Sequence, residues 1–246
     1  MQHLSDHVYC REFEDGAILL DLRTGSYLGL SAAILPHLKA HVANWPASDP
    51  VNLDLHSVKT VAHDEGEMAG TIVADLLSRG ILTPIAPSTK PVHAASALTS
   101  LAITCRSAAT QLPPIGHVLK FVHALLHVRL YWRGDKLEPL LGWLSARQST
   151  LADVTPPDPN ILLPFLRSYC QLRLWFYTAR DHCLFDSLVL SAFLTKCRLP
   201  CTFVIGIATK PFVAHAWVQS GDAVLNDTAE YIQTFDPILA IGAAAG

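Results

Sequence analysis

Along the first eighty residues, short stretches that alternate apolar and polar positions precede stretches with helical spacing. The alternation predicts three strands separated by turns, and Gly25 suits a turn position that needs a positive φ. Apolar residues then recur at every third or fourth position, which predicts two helices with Ser31 and Asp64 as their N-caps. The predicted strands are 7–11, 17–22 and 26–30, and the predicted helices are 31–41 and 64–80.

A proline-rich stretch at 84–91 divides the chain. Its three prolines disfavour both helix and sheet interiors, so we place a linker there. Beyond it the pattern predicts helices at 94–110, 115–132, 136–147, 161–178 and 181–198, then strands at 202–208, 213–219 and 223–226. The chain is therefore expected to be α+β, with a domain at 1–83, a linker and connecting helix at 84–114, and a second domain at 115–246.

The composition narrows the class of protein. Half of the residues are apolar and 16% are charged, which excludes a disordered chain. No stretch reaches the roughly 18 uninterrupted apolar residues of a membrane-spanning helix, and the first residues do not resemble a secretory signal, so a cytoplasmic protein with reduced cysteines is expected. The net charge is −3 overall and −6 over residues 1–80, which argues against nucleic acid as a partner.

Cys183 is the candidate nucleophile. Asp181 is a plausible N-cap, which would place Cys183 in the first turn of a helix that is apolar nearly all round. Free N–H groups and the helix dipole stabilise a thiolate there, and the thiolate is the reactive form. The alternative is that Cys183 is a small core residue, which is the commoner role of a lone cysteine in an apolar helix.

His215 and Asp227 complete a candidate triad with Cys183. His215 lies in the middle of a predicted apolar strand, where an imidazole needs a partner or a task. Asp227 follows the next strand candidate, so a short hairpin can bring its carboxylate beside the imidazole and fix the tautomer. Each of the two residues alone also fits a structural role. The ordered set of cysteine, histidine and aspartate favours a catalytic one.

This ordered set resembles the transglutaminase-like cysteine-protease superfamily, and more closely the lasso-peptide maturation B proteins. The Cys-Leu-x-x-Ser-Leu-x-Leu pattern of that family is matched from Cys183 to Leu190. The resemblance implies a papain-like fold with a helical first part and an antiparallel sheet, a Cys183–His215–Asp227 triad, and removal of a leader peptide from a lasso precursor. It also implies a partner, an asparagine-synthetase-like cyclase that closes the macrolactam ring and uses ATP.

The segment 15–30 resembles the PqqD-like domains that recognise precursor peptides, which are small winged-helix folds. In those domains the leader peptide binds as an added strand, a mode that captures an extended peptide through its main chain. By this resemblance the leader-binding residues are expected to be Ser26, Tyr27, Leu28, Leu30, Met68, Ile72 and Leu76. Ordinary core packing is the alternative for the apolar members. The negative charge of this segment disfavours DNA binding, the other use of a winged helix.

Other signals are weaker. Cys197 and Cys201 lack a second ligand pair, so no metal site is expected. There is no glycine-rich phosphate loop, so no ATP site is expected in this chain. Two functions remain as alternatives to proteolysis: a thiol acyltransferase with the same fold, and a non-catalytic chaperone that presents the precursor to the cyclase.

Overall fold

A computed structural model describes residues 1–43, 45, 64–86, 99–102, 112–132, 136–177 and 183–242, with the backbone alone at 64–69. The chain divides into two compact units, Met1–Lys90 and Pro91–Gly246. The division lies inside the stretch 84–114 that the sequence predicts as a linker with a connecting helix. Each unit is described by itself.

The N-terminal unit is built on a three-stranded antiparallel meander of β2 (Val8–Phe13), β3 (Gly16–Asp21) and β4 (Ser26–Ser31), in that order. Gly16 is needed where β3 begins, because a Cβ there would lie 2.0 Å from the carbonyl oxygen of Leu30. Gly25 has a φ of 63° in the turn before β4, as its position in the sequence predicts. The strands and helices of this unit are β1 (His3–Leu4), β2 (Val8–Phe13), β3 (Gly16–Asp21), β4 (Ser26–Ser31), α1 (Leu35–His41), α2 (Asp64–Ser78) and β5 (Leu82–Thr83).

The predicted cap of the first helix is wrong. Ser31 is the last residue of β4, and α1 begins at Leu35 with Ile34 as its N-cap and no side-chain cap. Pro36 lies in the first turn, where its fixed φ and missing N–H suit the start of a helix. The signal for the start of this helix is therefore the proline in its first turn, and not a serine side chain at the N-cap. The small strands β1 and β5, which pair with each other, were not predicted.

The C-terminal unit combines helices with a five-stranded mixed sheet. Its strands, in order across the sheet, are β10 (Asp236–Gly242), β7 (Thr202–Thr209), β8 (Phe212–Ser220), β9 (Ala223–Val224) and β6 (Thr99–Ser100). The pattern-based prediction of an α+β chain is confirmed, whereas the expected antiparallel sheet is wrong at one strand, because β6 pairs in parallel with β9. The elements of this unit are β6 (Thr99–Ser100), α3 (Ile115–Tyr131), α4 (Glu138–Ser149), α5 (Pro159–Arg173), α6 (Cys183–Lys196), β7 (Thr202–Thr209), β8 (Phe212–Ser220), β9 (Ala223–Val224), α7 (Ala229–Ile232) and β10 (Asp236–Gly242).

The structure corrects the sequence-based elements at three places. Thr99 and Ser100, inside the predicted helix 94–110, form β6 and pair in parallel with β9, and most of the rest of that helix lies outside the described residues. The predicted helix 161–178 begins at Pro159 and ends at Arg173. Helix α7 and strand β10 were not predicted, although β10 pairs along the length of β7.

Helix α6 forms the centre of this unit. Its residues from Asp186 to Thr195 are all buried, and it packs against α3 and against β8. Such a helix has little freedom to move relative to the sheet, because its neighbours surround it at interior packing density. A side chain at its N-terminus is therefore carried on a rigid support. In the described part of the chain, no helix has the length and apolar character to cross a membrane.

Candidate active site

Cys183 is the first residue of α6 and is partly exposed. The sequence predicts it in the first turn, and the structure has it there. The proposed cap, Asp181, lies outside the described residues. The thiol thus combines solvent access with the positive end of a buried helix, which is the environment of a reactive cysteine.

The neighbours of Cys183 lower the pKa of its thiol. A hydrogen bond with His215 is the largest influence, and it outweighs the burial that would raise the pKa. Backbone hydrogen bonds from Ala216 and Leu184 lower the pKa further. The β8 backbone at Ala216 is turned toward α6, because its carbonyl oxygen accepts a hydrogen bond from Ser187 on that helix at 2.9 Å. The sulfur is therefore surrounded by donors that favour its anionic form.

His215 is held between the sulfur and a carboxylate. Its Nε2–H donates to Oδ2 of Asp227 at 2.7 Å, which leaves Nδ1 as the ring nitrogen for Cys183. Burial lowers the pKa of the imidazole, but the hydrogen bonds to Asp227 and Cys183 outweigh it and raise the pKa to about 9. At neutral pH the imidazole is therefore protonated, and the site holds an imidazolium beside a thiol that readily ionises.

Asp227 is itself fixed by the backbone. Its second carboxylate oxygen, Oδ1, accepts a hydrogen bond from the N–H of Thr228 at 2.8 Å. Thr228 in turn is the N-cap of α7, and its side chain accepts a hydrogen bond from the N–H of Tyr231. The short helix after the aspartate therefore anchors the carboxylate. The three residues selected from the sequence are brought together, with His215 in the middle.

Aromatic rings surround the imidazole. The centroids of Tyr231 and Phe235 lie 5.1 and 5.2 Å from that of His215, and Trp217 is stacked at 6.3 Å. Gly206 pairs directly opposite His215, and a Cβ there would lie 2.7 Å from the Trp217 ring. A glycine is thus required for these rings to close over the strand. The rings reduce access of water to the imidazole, whereas Tyr231 remains 48% exposed at the rim.

Sequence reasoning did not find Gly206, Ser187, Asn226 or the two rings after Asp227. No spacing rule identifies them, because their roles depend on side-chain contacts that form only in the folded chain. Ser187 is the serine of the Cys-Leu-x-x-Ser-Leu-x-Leu pattern that begins at Cys183, so the sequence did carry a signal at this position. A glycine inside the apolar run of β7 was a further signal, since glycine in a strand often marks a close approach.

The expected leader-binding residues fall into two groups in the N-terminal unit. Residues 26–30 belong to β4, which is an edge strand of the three-stranded sheet in the part of the unit that the structure describes. Leu28 and Ile72 are partly buried against the core. Leu30 and Leu76 are core residues, 9% and 1% exposed, so the helix face does not present Leu76 to a ligand. The side chain of Met68 lies outside the described residues.

Among the described residues, no group of three or more His, Cys, Asp or Glu side chains is placed to hold a metal ion. Cys10, Cys170, Cys183, Cys197 and Cys201 are not joined by disulfide bonds.

Comparison with known proteins agrees with the geometry of the C-terminal unit. Residues 124–240 match the model of the transglutaminase-like superfamily. The matched range contains Cys183, His215 and Asp227, so this unit carries a transglutaminase-like superfamily domain. Such a domain is consistent with a cysteine protease or an acyltransferase. The match does not extend to the N-terminal unit. Searches of curated proteins and of solved structures gave no match for this chain.

Proposed function

We propose that this protein is a cysteine peptidase that removes the leader from a ribosomally made lasso-peptide precursor. The observation that carries the proposal is the His215 imidazole, which is hydrogen-bonded to Cys183 on one side and to Asp227 at 2.7 Å on the other. A protonated imidazole beside a thiol whose pKa is lowered provides both a nucleophile and a general acid. Removal of the leader frees the N-terminus of the core peptide for ring closure.

The chemistry follows from the protons at the site. The Cys183 thiolate attacks the carbonyl carbon of the scissile peptide bond, and the C–N bond breaks as His215 gives its proton to the leaving amine. Asp227 keeps the imidazole in the orientation that this transfer needs. A water molecule then gives a proton to His215 and attacks the thioester, which releases the leader as a free acid and restores the thiolate.

The N-terminal unit would hold the leader. The main-chain groups along the outer side of an edge strand can pair with an extended peptide, and among the described residues β4 is such a strand. A leader bound there keeps the scissile bond at a high local concentration near the thiol. The partner would be an asparagine-synthetase-like cyclase, which uses ATP to close the macrolactam, so this chain needs no cofactor of its own.

The proposal is tested with a synthetic lasso-precursor peptide and mass spectrometry of the products. The wild-type protein is expected to release a core peptide and a leader that ends in a free carboxylate. Cys183→Ala is expected to bind the precursor with the same affinity and to release no core peptide. Full cleavage by Cys183→Ala would end the assignment of Cys183 as nucleophile.

The same experiment separates the alternatives. An acyltransferase would give a leader joined to an added amine instead of the free acid. A chaperone would bind the precursor and leave it intact with wild-type protein and with Cys183→Ala alike. Binding at β4 is tested by fluorescence anisotropy with a labelled leader: Leu28→Asp is expected to weaken it, and Phe13→Asp on the opposite edge strand β2 is not.

A further inference from the structure

A buried hydroxyl joins the three elements that carry the triad. Ser187 lies one helical turn after the nucleophile on α6 and is fully buried. Its Oγ donates to the carbonyl oxygen of Ala216, the residue after the imidazole, at 2.9 Å. The same Oγ accepts a hydrogen bond from Nδ2 of Asn226, the residue before the carboxylate, also at 2.9 Å. Each bonded residue is thus a near neighbour of one triad member.

Both the oxygen and the nitrogen of the Asn226 side-chain amide make hydrogen bonds. Its Oδ1 accepts a hydrogen bond from the N–H of Val218 at 2.9 Å, and the N–H of Leu225 donates to the carbonyl oxygen of Val218 at 2.8 Å. Its Nδ2 also lies 3.5 Å from Oδ2 of Asp186. Strand pairing between β8 and β9 ends at Gln219 and Val224. Beyond that point, the Leu225 N–H and the Asn226 side chain keep the segment in contact with β8. An amide fits this position because it presents an acceptor to the strand and donors to the helix.

The hydrogen bonds of Ser187 and Asn226 form a bridge between α6, β8 and the loop that carries Asp227. A buried ion pair lies next to this bridge. Asp186 is 2% exposed, and Nη1 of Arg173 on α5 donates to its Oδ2 at 3.0 Å. The hydroxyls of Tyr169 and Tyr177 donate to its Oδ1 at 2.9 and 3.1 Å. A buried carboxylate with this many donors keeps one position, because any displacement would leave a buried group without a partner. Asp186 therefore gives the Asn226 amide a fixed neighbour.

We propose that Ser187 and Asn226 are positioning residues, which hold the helix of Cys183, the strand of His215 and the loop of Asp227 in the register that joins the triad. The inference deepens the proposed function, because it rests on that triad. The bridge acts through the backbone. It turns the Ala216 carbonyl, and with it the neighbouring N–H, toward α6, and it holds the residue from which the carboxylate reaches the imidazole.

The test measures the alkylation rate of Cys183 by iodoacetamide as a function of pH, followed by mass spectrometry on the full-length protein. In Asn226→Ala the midpoint of the pH profile is expected to move upward, and the rate at pH 7 to fall by about tenfold, the weight of one hydrogen bond in an ionic site. Ser187→Ala is expected to give the same shift. The double variant should add little to either single change, because both remove the same bridge.

The control is Gln148→Ala. Gln148 is a fully buried amide, and it bonds Thr195 and Cys201 near the far end of α6. This variant is expected to lose stability and to keep the wild-type alkylation profile. Ser187→Ala removes a single oxygen atom, so it keeps the test available if Asn226→Ala does not fold. Circular dichroism at the temperature of the assay identifies the folded variants.

Two outcomes have different meanings. If the folded Ser187→Ala and Asn226→Ala variants keep the wild-type profile, as Gln148→Ala does, the bridge is structural and the inference is overturned. If the wild-type protein itself alkylates at Cys183 no faster than an ordinary thiol, the triad and the proposed function fail instead. An upward shift in the two bridge variants alone supports the inference, and the peptidase assay should then show a lower kcat with an unchanged KM.

Discussion

Cysteines lie at both ends of helix α6, and their pKa values are shifted in opposite directions. At the N-terminus, hydrogen bonds from His215 and from the backbone lower the pKa of Cys183 despite its burial. Just beyond the C-terminus, burial raises the pKa of Cys197 to about 11 and that of Cys201 to about 12. The helix dipole acts in the same sense, with its positive end at Cys183 and its negative end near the other two.

The comparison shows that burial does not make a thiol reactive. Removing a thiolate from water raises the pKa unless donors replace the lost solvent. Cys201 is the more enclosed residue, and its sulfur accepts a hydrogen bond from Nε2 of Gln148 at 3.2 Å, yet burial outweighs this neutral donor and raises the pKa of the thiol to about 12. Cys183 keeps partial exposure and gains an imidazolium and backbone N–H groups. The direction of the helix dipole and the neighbouring donors therefore both favour a thiolate at the N-terminal end of α6 and not at its C-terminal end.

The largest expected effect is the loss of activity in Cys183→Ala. Removing the sulfur removes the nucleophile, so cleavage of the precursor should fall to background. Cys197→Ala and Cys201→Ala are the matched controls at the other end of the helix. They are expected to keep their kcat, although Cys201→Ala will be less stable because Cys201 is buried. Loss of kcat in Cys197→Ala equal to that in Cys183→Ala would break the comparison.

The next effect concerns Asp227, which orients His215 at 2.7 Å. Asp227→Asn keeps the shape of the side chain but favours the wrong tautomer of the imidazole, so kcat should fall by about 10²- to 10⁴-fold. Steady-state kinetics with the precursor measure this change. Asp222→Asn, in the turn before β9, is the control and should leave kcat unchanged. A fall of less than twofold in Asp227→Asn would show that the carboxylate is not needed.

The sequence was sufficient for the parts of the fold that local patterns determine. The boundaries of α3 and β7, and the position of Cys183 in a first turn, follow from apolar periodicity. Strand β6 could not be predicted in the same way, because two residues form a strand only through their pairing with β9. The triad was found by the order of its members. The Asn226 amide was not, because its bond to Ser187 on α6 joins residues 39 positions apart, which no local pattern relates.

A third effect is on stability and sharpens the comparison within α6. Asp186→Ala leaves the Arg173 guanidinium buried without its partner, which should lower the free energy of unfolding by about 3–5 kcal/mol. Thr195→Val, near the other end of the helix, removes neutral hydrogen bonds to Gln148 and Ser191, at a cost of about 1–3 kcal/mol. Urea unfolding followed by circular dichroism compares the two. Equal losses would contradict the charged network that we describe at the N-terminal end.

The smallest effect is expected from the aromatic rim. Tyr231 contacts the imidazole edge to face at 5.1 Å, and its removal in Tyr231→Ala should lower kcat/KM by about two- to tenfold, the value of one aromatic pair. Tyr131→Ala on α3 is the control, since Tyr131 is similarly exposed, at 49% against 48%. An unchanged kcat/KM in Tyr231→Ala would remove the ring from the catalytic environment.

The pH dependence of Cys183 alkylation, measured in the wild-type protein and in His215→Ala, tests the central claim most directly. In the wild type, the rate should rise with a midpoint below the ordinary thiol value of 9.0, while peptidase activity should fall again near pH 9 as His215 loses the proton that the leaving amine needs. In His215→Ala, the burial that raises the pKa of Cys183 remains, but the hydrogen bond that mainly lowers this pKa is lost. The alkylation midpoint should therefore move upward. The same midpoint in both proteins would contradict the account, because the imidazole would then not be what ionises the thiol.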